Sequence, residues 1–228
     1  MKNKFNLVIL NGSRCSPQFL DHYHKIYSHW KTMWQNTFKE LDGHTEVLSD
    51  NFLRQSEVLG IFHDEKCIAV VCHRYIDLLP SAFDDSYFQS WPELILKKIK
   101  NLSPQVAIGN QISIDPEFRK IEKDLSMKDM LLWFSLKRLQ EQNASIILGS
   151  VREDKSLDTL FIKYGATILQ KNVEQHNVPV SLLYFDNAHI NLTAAKEWEH
   201  EFQEIYTSKI EDQIYLTSFY REKLNEAA

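Results

Sequence analysis

The sequence predicts an α/β or α+β domain on a mixed sheet, and three observations carry that reading. Strand-like and helix-like runs alternate in the order β-α-β-β-α-β-α-β-α-β-β-αα. The run around Ile68, Ala69, Val70 and Val71 is apolar at consecutive positions, as in a strand covered on both faces. The stretch "SIDPEFRKIEKDLSMKDMLLWF" takes a polar strand end through proline and a charged loop into an apolar helix.

In chain order, Phe5, Leu7, Val8, Ile9 and Leu10 form a first strand, closed by Asn11-Gly12-Ser13. The run is too short and too polar-flanked for a signal peptide. Ser16-Pro17 is an N-cap followed by proline at the first helical position. The helix it opens runs to near Leu41, with Phe19, Tyr23, Ile26, Tyr27, Trp30, Trp34 and Phe38 at helical spacing. Residues 56–63 and 66–78 are two strands hinged at Asp64-Glu65, the second of them central. Residues 81–100 are an aromatic-rich helical excursion turning near Trp91-Pro92. In the strand 105–115, strict alternation puts Val106, Ile108, Ile112 and Ile114 on one face and Ala107, Gly109, Gln111, Ser113 and Asp115 on the other. A helix over 125–141, a strand over 145–151, a helix over 155–164 and strands over 166–173 and 178–186 follow. Helices over 192–206 and 208–225 end the sequence.

The 228 residues, 43% hydrophobic, suffice for a substantial core. The net charge is −5 with both signs interspersed and no basic stripe, which argues against nucleic-acid binding. No apolar run reaches the roughly 18 residues of a membrane span. Cys15, Cys67 and Cys72 are an odd and sparse set, which fits a reducing cytoplasm better than a disulfide scaffold. Metal, Walker and dinucleotide motifs are absent from the sequence. Glu197, His200, Glu201 and Glu204 share a helical face, but di-iron bundles need Glu-x-x-His twice, so this is a solvated charged face.

Three stretches resemble the GNAT superfamily of acyl-CoA N-acyltransferases. "ISIDPEFRK" resembles its cleft strand with the following proline and arginine. "DKSLDTLFIKYGATIL" resembles its late helix running into a glycine-led strand, here Gly165-Ala166. "CIAVVCHRYIDL" fits its third strand. The resemblance covers residues 5–186 and implies a largely antiparallel sheet with a central parallel, splayed strand pair, 105–115 beside 145–151, and helices on both faces. Ser113 and Ser150 are then expected near the opening. A domain over 1–190 and a packed C-terminal helical extension over 191–228 follow from it.

The resemblance also implies an activity: an amine attacks an acyl thioester held in the splay, with the donor phosphate on the N-terminus of the next helix. The donor-binding residues it implies are Ile112, Ser113, Ile114, Arg119, Lys120, Ser126 and Met127. The base candidates are His73 and Asp77, on one strand face with Tyr75 between, and His73 has an intrinsic pKa suited to the task. Family members often carry a tyrosine acid where this chain has Phe161, which has no proton to give, so the neighbouring Tyr164 is the substitute candidate. Phe83, Phe88 and Trp91 are candidates for an acyl-chain channel. Lys120, Glu122 and Asp124 stand where the family's loop often has glycine. That substitution favours one phosphodiester over a pyrophosphate, hence the phosphopantetheine arm of an acyl carrier protein, which Lys97, Lys98, Lys100, Lys120 and Lys123 would attract. No permanently bound cofactor is expected; acyl-CoA or acyl-phosphopantetheine is a substrate. A silent GNAT-fold binding protein is the other reading.

Overall fold

A computed structural model describes residues 5–43, 46–120 and 126–212. One eight-stranded mixed sheet, ordered β6-β7-β5-β4-β3-β2-β1-β8, organises the chain. Its strands are β1 (Phe5–Asn11), β2 (Glu57–His63), β3 (Lys66–Asp77), β4 (Gln105–Ile114), β5 (Ile146–Arg152), β6 (Thr167–Gln175), β7 (Val178–Asp186) and β8 (Ile210–Glu211). The helices are α1 (Leu20–Asp42), α2 (Asp50–Leu53), α3 (Glu93–Leu102), α4 (Met127–Glu141), α5 (Leu157–Lys163) and α6 (Glu199–Thr207). The pairs are antiparallel except β4 with β5 and β1 with β8.

Alternation along the strands divides the core into two layers. Leu7, Ile9, Leu59, Ile61, Ala69, Val71, Ile147, Leu183 and Phe185 face α4, α5 and α6. On the other side, Val8, Leu10, Val58, Val70 and Cys72 meet Ile26 and Trp30 of α1. Further along that side, Val106, Ile108, Ile146, Leu148 and Leu182 meet Ile95 and Ile99 of α3. Helix α4 is buried nearly all round, including Met127, Leu131, Trp133 and Phe134, because the sheet takes one side and Phe202 and Tyr206 of α6 take another.

Several boundaries differ from the sequence expectation. The excursion after β3 is a short 3₁₀ turn, Pro80–Asp84, and a separate helix, α3. Pro92 stands at the N-cap of α3 in extended conformation, as a residue that cannot continue a preceding helix must. The expected helix 192–206 divides into a 3₁₀ stretch, Leu192–Trp198, and α6, with Lys196 at φ 57 marking the break. Most of the expected last helix lies outside the described residues, but Ile210 and Glu211 form a strand against Val8 and Ile9 of β1.

The largest correction concerns β4. Gln111 has φ 55, and the β3–β4 register slips between Val70 and Cys72. A bulge of this kind inserts an extra residue and reverses the alternation beyond it. Val106 and Ile108 therefore face α3, while Ile112 and Ile114 pack on the α4 side. The expected single face for all four does not exist.

Candidate active site

Strands β4 and β5 are paired only at Ala107 with Ile147 and Ile108 with Leu148. Beyond those pairs the ladder stops. On the α1 and α3 side a cleft of about 610 Å³ opens there, with Gly109, Asn110 and Gln111 of β4 and Ser150 of β5 at its floor. Trp34 and Phe38 of α1, Tyr87, and Gln175 and His176 at the end of β6 form its walls, and Arg54, Gln55 and Arg74 its remaining side.

The aromatic stripe of α1 does more than fill the core here. Trp30 Nε1 donates to Gln111 Oε1 at 3.0 Å, and Trp34 Nε1 donates to the Gln111 carbonyl at 3.4 Å. Two indoles thus hold the bulged residue, whose left-handed backbone is costly for a side chain with a Cβ. Asn110 Nδ2 donates to Gln55 Oε1 at 3.2 Å, while Asn110 Oδ1 is buried without a partner among the described residues. Ser150 meets Gln175 by a short hydrogen bond.

On the α4 side of the same splay lies a buried polar network. His73 is fully buried, with Nε2 2.8 Å from Ser135 Oγ and Nδ1 3.5 Å from Glu57 Oε2. Glu57 is equally buried and accepts from Arg138 Nε and Nη2 and from the Tyr75 hydroxyl at 3.0 Å. Arg138 also reaches Glu211 at 2.9 Å. Burial alone would push the Glu57 carboxyl up; the His73 hydrogen bond and the Arg138 guanidinium outweigh it and hold the group below the usual range. His73 pairs with Gly109 in the ladder, so one glycine of β4 separates this network from the cleft.

The other sequence candidates scatter around this centre. Asp77, at the far end of β3, accepts from Gln105 Nε2 at 2.9 Å and is not among the cleft residues. Ser113 is buried opposite Val70 and does not line the cleft, unlike Ser150. Ile112 and Ile114 are half-buried on the α4 side. Tyr164 is fully buried, its hydroxyl 3.4 Å from Asp129 Oδ1, and burial together with that carboxylate pushes its pKa well above the ordinary value. Phe161 packs on Phe185. Phe88 and Trp91 are buried ring to ring on the α3 side, with half-buried Phe83 against Phe88.

At the N-terminus of α4, Ser126 caps the helix by accepting from the Asp129 amide at 3.2 Å. The Met127 amide donates to the Arg119 carbonyl at 3.3 Å, so one first-turn donor is already used. Asp129 adds a carboxylate in that turn, partly matched by Lys163 at 3.1 Å. Arg119 and Lys120 are exposed, and Asp115 caps its own loop through the Glu117 amide. Glu122, Lys123 and Asp124 lie outside the described residues.

No protein-family model and no curated protein matches the chain. Solved structures do match it in shape. The CoA-dependent acyl-homoserine lactone synthase BjaI, solved with SAM and isopentyl-CoA, aligns at TM-score 0.60 and 10% identity, covering 96% of this chain and 99% of that one. The AHL synthase LasI aligns at 0.55 and 13%, covering 84% and 94%. FeeM, an N-acyl amino acid synthase from uncultured soil microbes, aligns at 0.51 and 14%, covering 82% and 94%. The chain has the GNAT acyltransferase fold. In this fold the splay is the place where the sheet offers both an opening and unladdered backbone, and its two strands are the expected pair, 105–115 beside 145–151. Sequence reasoning missed Arg54, Gln55 and Asn110, which stand in unremarkable polar surroundings. It also missed Glu57, Ser135 and Arg138, although a charge inside an apolar run is a readable sign of a buried pair.

Proposed function

We propose that the chain is an N-acyltransferase that moves an acyl group from a thioester donor, acyl carrier protein or acyl-CoA, to an amine of a small molecule or amino acid. The observation that carries this reading is the interrupted β4–β5 ladder with a polar, aromatic-walled cleft at the break. A thioester carbonyl lying in the break meets backbone groups of β4 that the ladder leaves free, the usual means of stabilising a developing oxyanion. The amine lone pair attacks the carbonyl carbon. The C–N bond forms, the C–S bond breaks, and the thiolate leaves and is protonated.

His73 takes the amine proton in this reading, through water at the Gly109 gap, with Ser135 and Glu57 fixing the ring. Tyr164, protonated across the working range, supplies the proton to the thiolate. Asp77 stands as the alternative base. The acyl chain runs toward Phe83, Phe88 and Trp91. The donor phosphate lies near Arg119, Lys120 and the Ser126–Met127 helix start. Three unpaired cysteines fit work in the cytoplasm.

The carboxylate and the engaged amide at the start of α4 weaken a pyrophosphate site and favour a single phosphodiester. Acyl carrier protein is therefore the better donor in this reading. The test is transfer of one acyl chain from each carrier, with thiol release as readout. Faster turnover from acyl carrier protein supports it; saturation by acyl-CoA with no response to acyl carrier protein refutes the donor assignment. A second reading, a silent binding protein of the same fold, is favoured by the complete burial of His73 and by Phe161; absence of thiol release from both carriers would establish it.

A further inference from the structure

We propose that α3 and the end of β3 beside it form a docking surface for an anionic lipid membrane. Helix α3 buries Ile95 and Ile99 against Val106, Ile108, Ile146 and Leu148 of the sheet. That face is fully used, yet the outer side of the helix carries apolar surface too. Leu94 is 77% exposed, the highest value among the large hydrophobic residues described, and Leu102 is 46% exposed. Lys98 stands four residues from each, so the three run along one edge of the helix. Leu79 adds a third leucine at 61%. The Leu78 amide donates to the Pro104 carbonyl at 2.7 Å, which sets Leu79 beside the C-terminal end of α3.

The charges around these leucines are basic. Lys97 is paired with Glu93 at 2.7 Å, whereas exposed Lys98 and Lys100 have no ion pair among the described residues. Asp77, on the same end of β3, accepts from Gln105. The whole chain carries a net charge of −5. Salt screens distant charge beyond about 8 Å at physiological ionic strength, so an approaching surface meets the local lysines first. Separate leucines on a convex helix, among lysines whose stems lie along apolar surface while their amino groups stay in water, match a headgroup layer.

Position favours lipid over a carrier protein. Strand β4 runs from Gln105 to Ile114, about 30 Å at the usual rise of a strand. The leucines adjoin its Gln105 end, whereas the Ser126–Met127 helix start, the proposed seat of the donor phosphate, follows its Ile114 end. A carrier protein seated on the leucines would hold its phosphate at the wrong end of the strand. The acyl tail points the other way, toward Phe88 and Trp91, which share one cluster with Ile95 and Ile99 of α3. That last link rests on the acyltransferase reading; the surface itself does not. An N-acylated product is an amphiphile, and it would leave on the side where the leucines stand.

The test is sedimentation of the full chain with vesicles of phosphatidylcholine alone and of equimolar phosphatidylserine and phosphatidylcholine. Binding should be confined to the anionic vesicles and should fall as salt rises. Lys98→Gln and Lys100→Gln should each weaken it about fivefold. Leu94→Gln together with Leu102→Gln should weaken it at least about tenfold. All four positions are exposed and glutamine suits a helix, so an unchanged melting temperature certifies the fold. No binding to either vesicle, or binding that these substitutions leave intact, would overturn the proposal. Without vesicle binding, holo-acyl carrier protein that binds the unaltered chain and not the lysine variants would make this a carrier dock. Self-association abolished by the leucine pair, again without vesicle binding, would make it a dimer face; either result overturns the proposal. None of these readouts needs turnover. A chain that binds anionic vesicles but acylates nothing keeps the surface and loses the acyltransferase reading.

Discussion

Gly109 of β4 faces Ser135 of α4. A methyl group built on Gly109 would find Ser135 Oγ at 4.0 Å as its nearest neighbour outside the adjoining residues. Gly109 has no positive φ, so alanine fits its backbone. Gly109→Ala should therefore keep or slightly raise stability, by up to about 1 kcal/mol, since it restricts the unfolded chain. It should nonetheless lower kcat at least about tenfold, because the methyl narrows the gap between the cleft and His73. Thermal melts and turnover on the same sample check this; unchanged kcat would remove the gap from the mechanism.

His73→Gln keeps a polar side chain near Ser135 and Glu57 but cannot take a proton at neutral pH. If His73 is the base, kcat should fall about 10²- to 10⁴-fold, and the pH dependence of the residual rate should flatten. Asp77→Asn should change kcat less than about threefold. A large loss in the Asp77 variant with little in the His73 variant would exchange their roles.

Arg138→Met strips the buried Glu57 of its guanidinium. Breaking a buried pair on one side costs about 3–5 kcal/mol, which for a chain of this size lowers Tm by roughly 10 °C or more. The pH dependence has a defined sign. Glu57 has a native pKa below its unfolded value of 4.5, so its stabilising contribution is present above that value and is lost as pH falls through the native one. The gap between the two proteins should be widest near neutral pH and should narrow below about pH 4.5, as denaturant melts across pH would show.

Asp129→Asn removes a carboxylate from the first turn of α4 and frees Lys163. If the donor phosphate docks there, affinity for acyl-CoA should rise about two- to fivefold, matching the helix-end value of a single charge. Calorimetry at two salt concentrations is the check. Unchanged affinity would move the phosphate site elsewhere.

Phe83→Trp enlarges a half-buried ring at the edge of the Phe88–Trp91 cluster. If the acyl chain runs along that cluster, the preferred chain should shorten by about two to four carbons, on the scale of about 0.8 kcal/mol per buried CH₂. Competition between octanoyl and longer donors measures it.

Much of the fold was legible because burial imposes period on sequence. The run Ile68 to Val71 could only be a central strand, and 178–186 was placed to the residue. What alternation cannot reveal is an interruption of itself. Gln111 looks like any polar strand residue, and only its contact with Trp30, 81 positions away, makes the bulge affordable. The same holds for the site. A position on the cleft strand follows from a local motif, but the convergence of Arg54, Gln55 and Asn110 depends on α2 and β4 meeting, which no local pattern encodes. For the buried Glu57–Arg138 pair, a charge inside an apolar run announces that a partner is needed, but not which residue, 81 positions away, supplies it.

Strand β1 is flanked by β2 on one side and by the two-residue β8 on the other. Asp212, buried beside β8, clasps both the amide and the hydroxyl of Ser16, 196 residues earlier. During synthesis, β1 leaves the ribosome well before the strand that seals its outer edge, since Val8 pairs with Ile210. Until β8 is made, then, β1 presents a bare hydrogen-bonding edge rich in Val, Ile and Leu, the kind of surface that recruits other chains. Expression yield should depend on how long that edge stays open: slow decoding between β1 and β8 favours aggregation, and a holdase chaperone present during synthesis counters it.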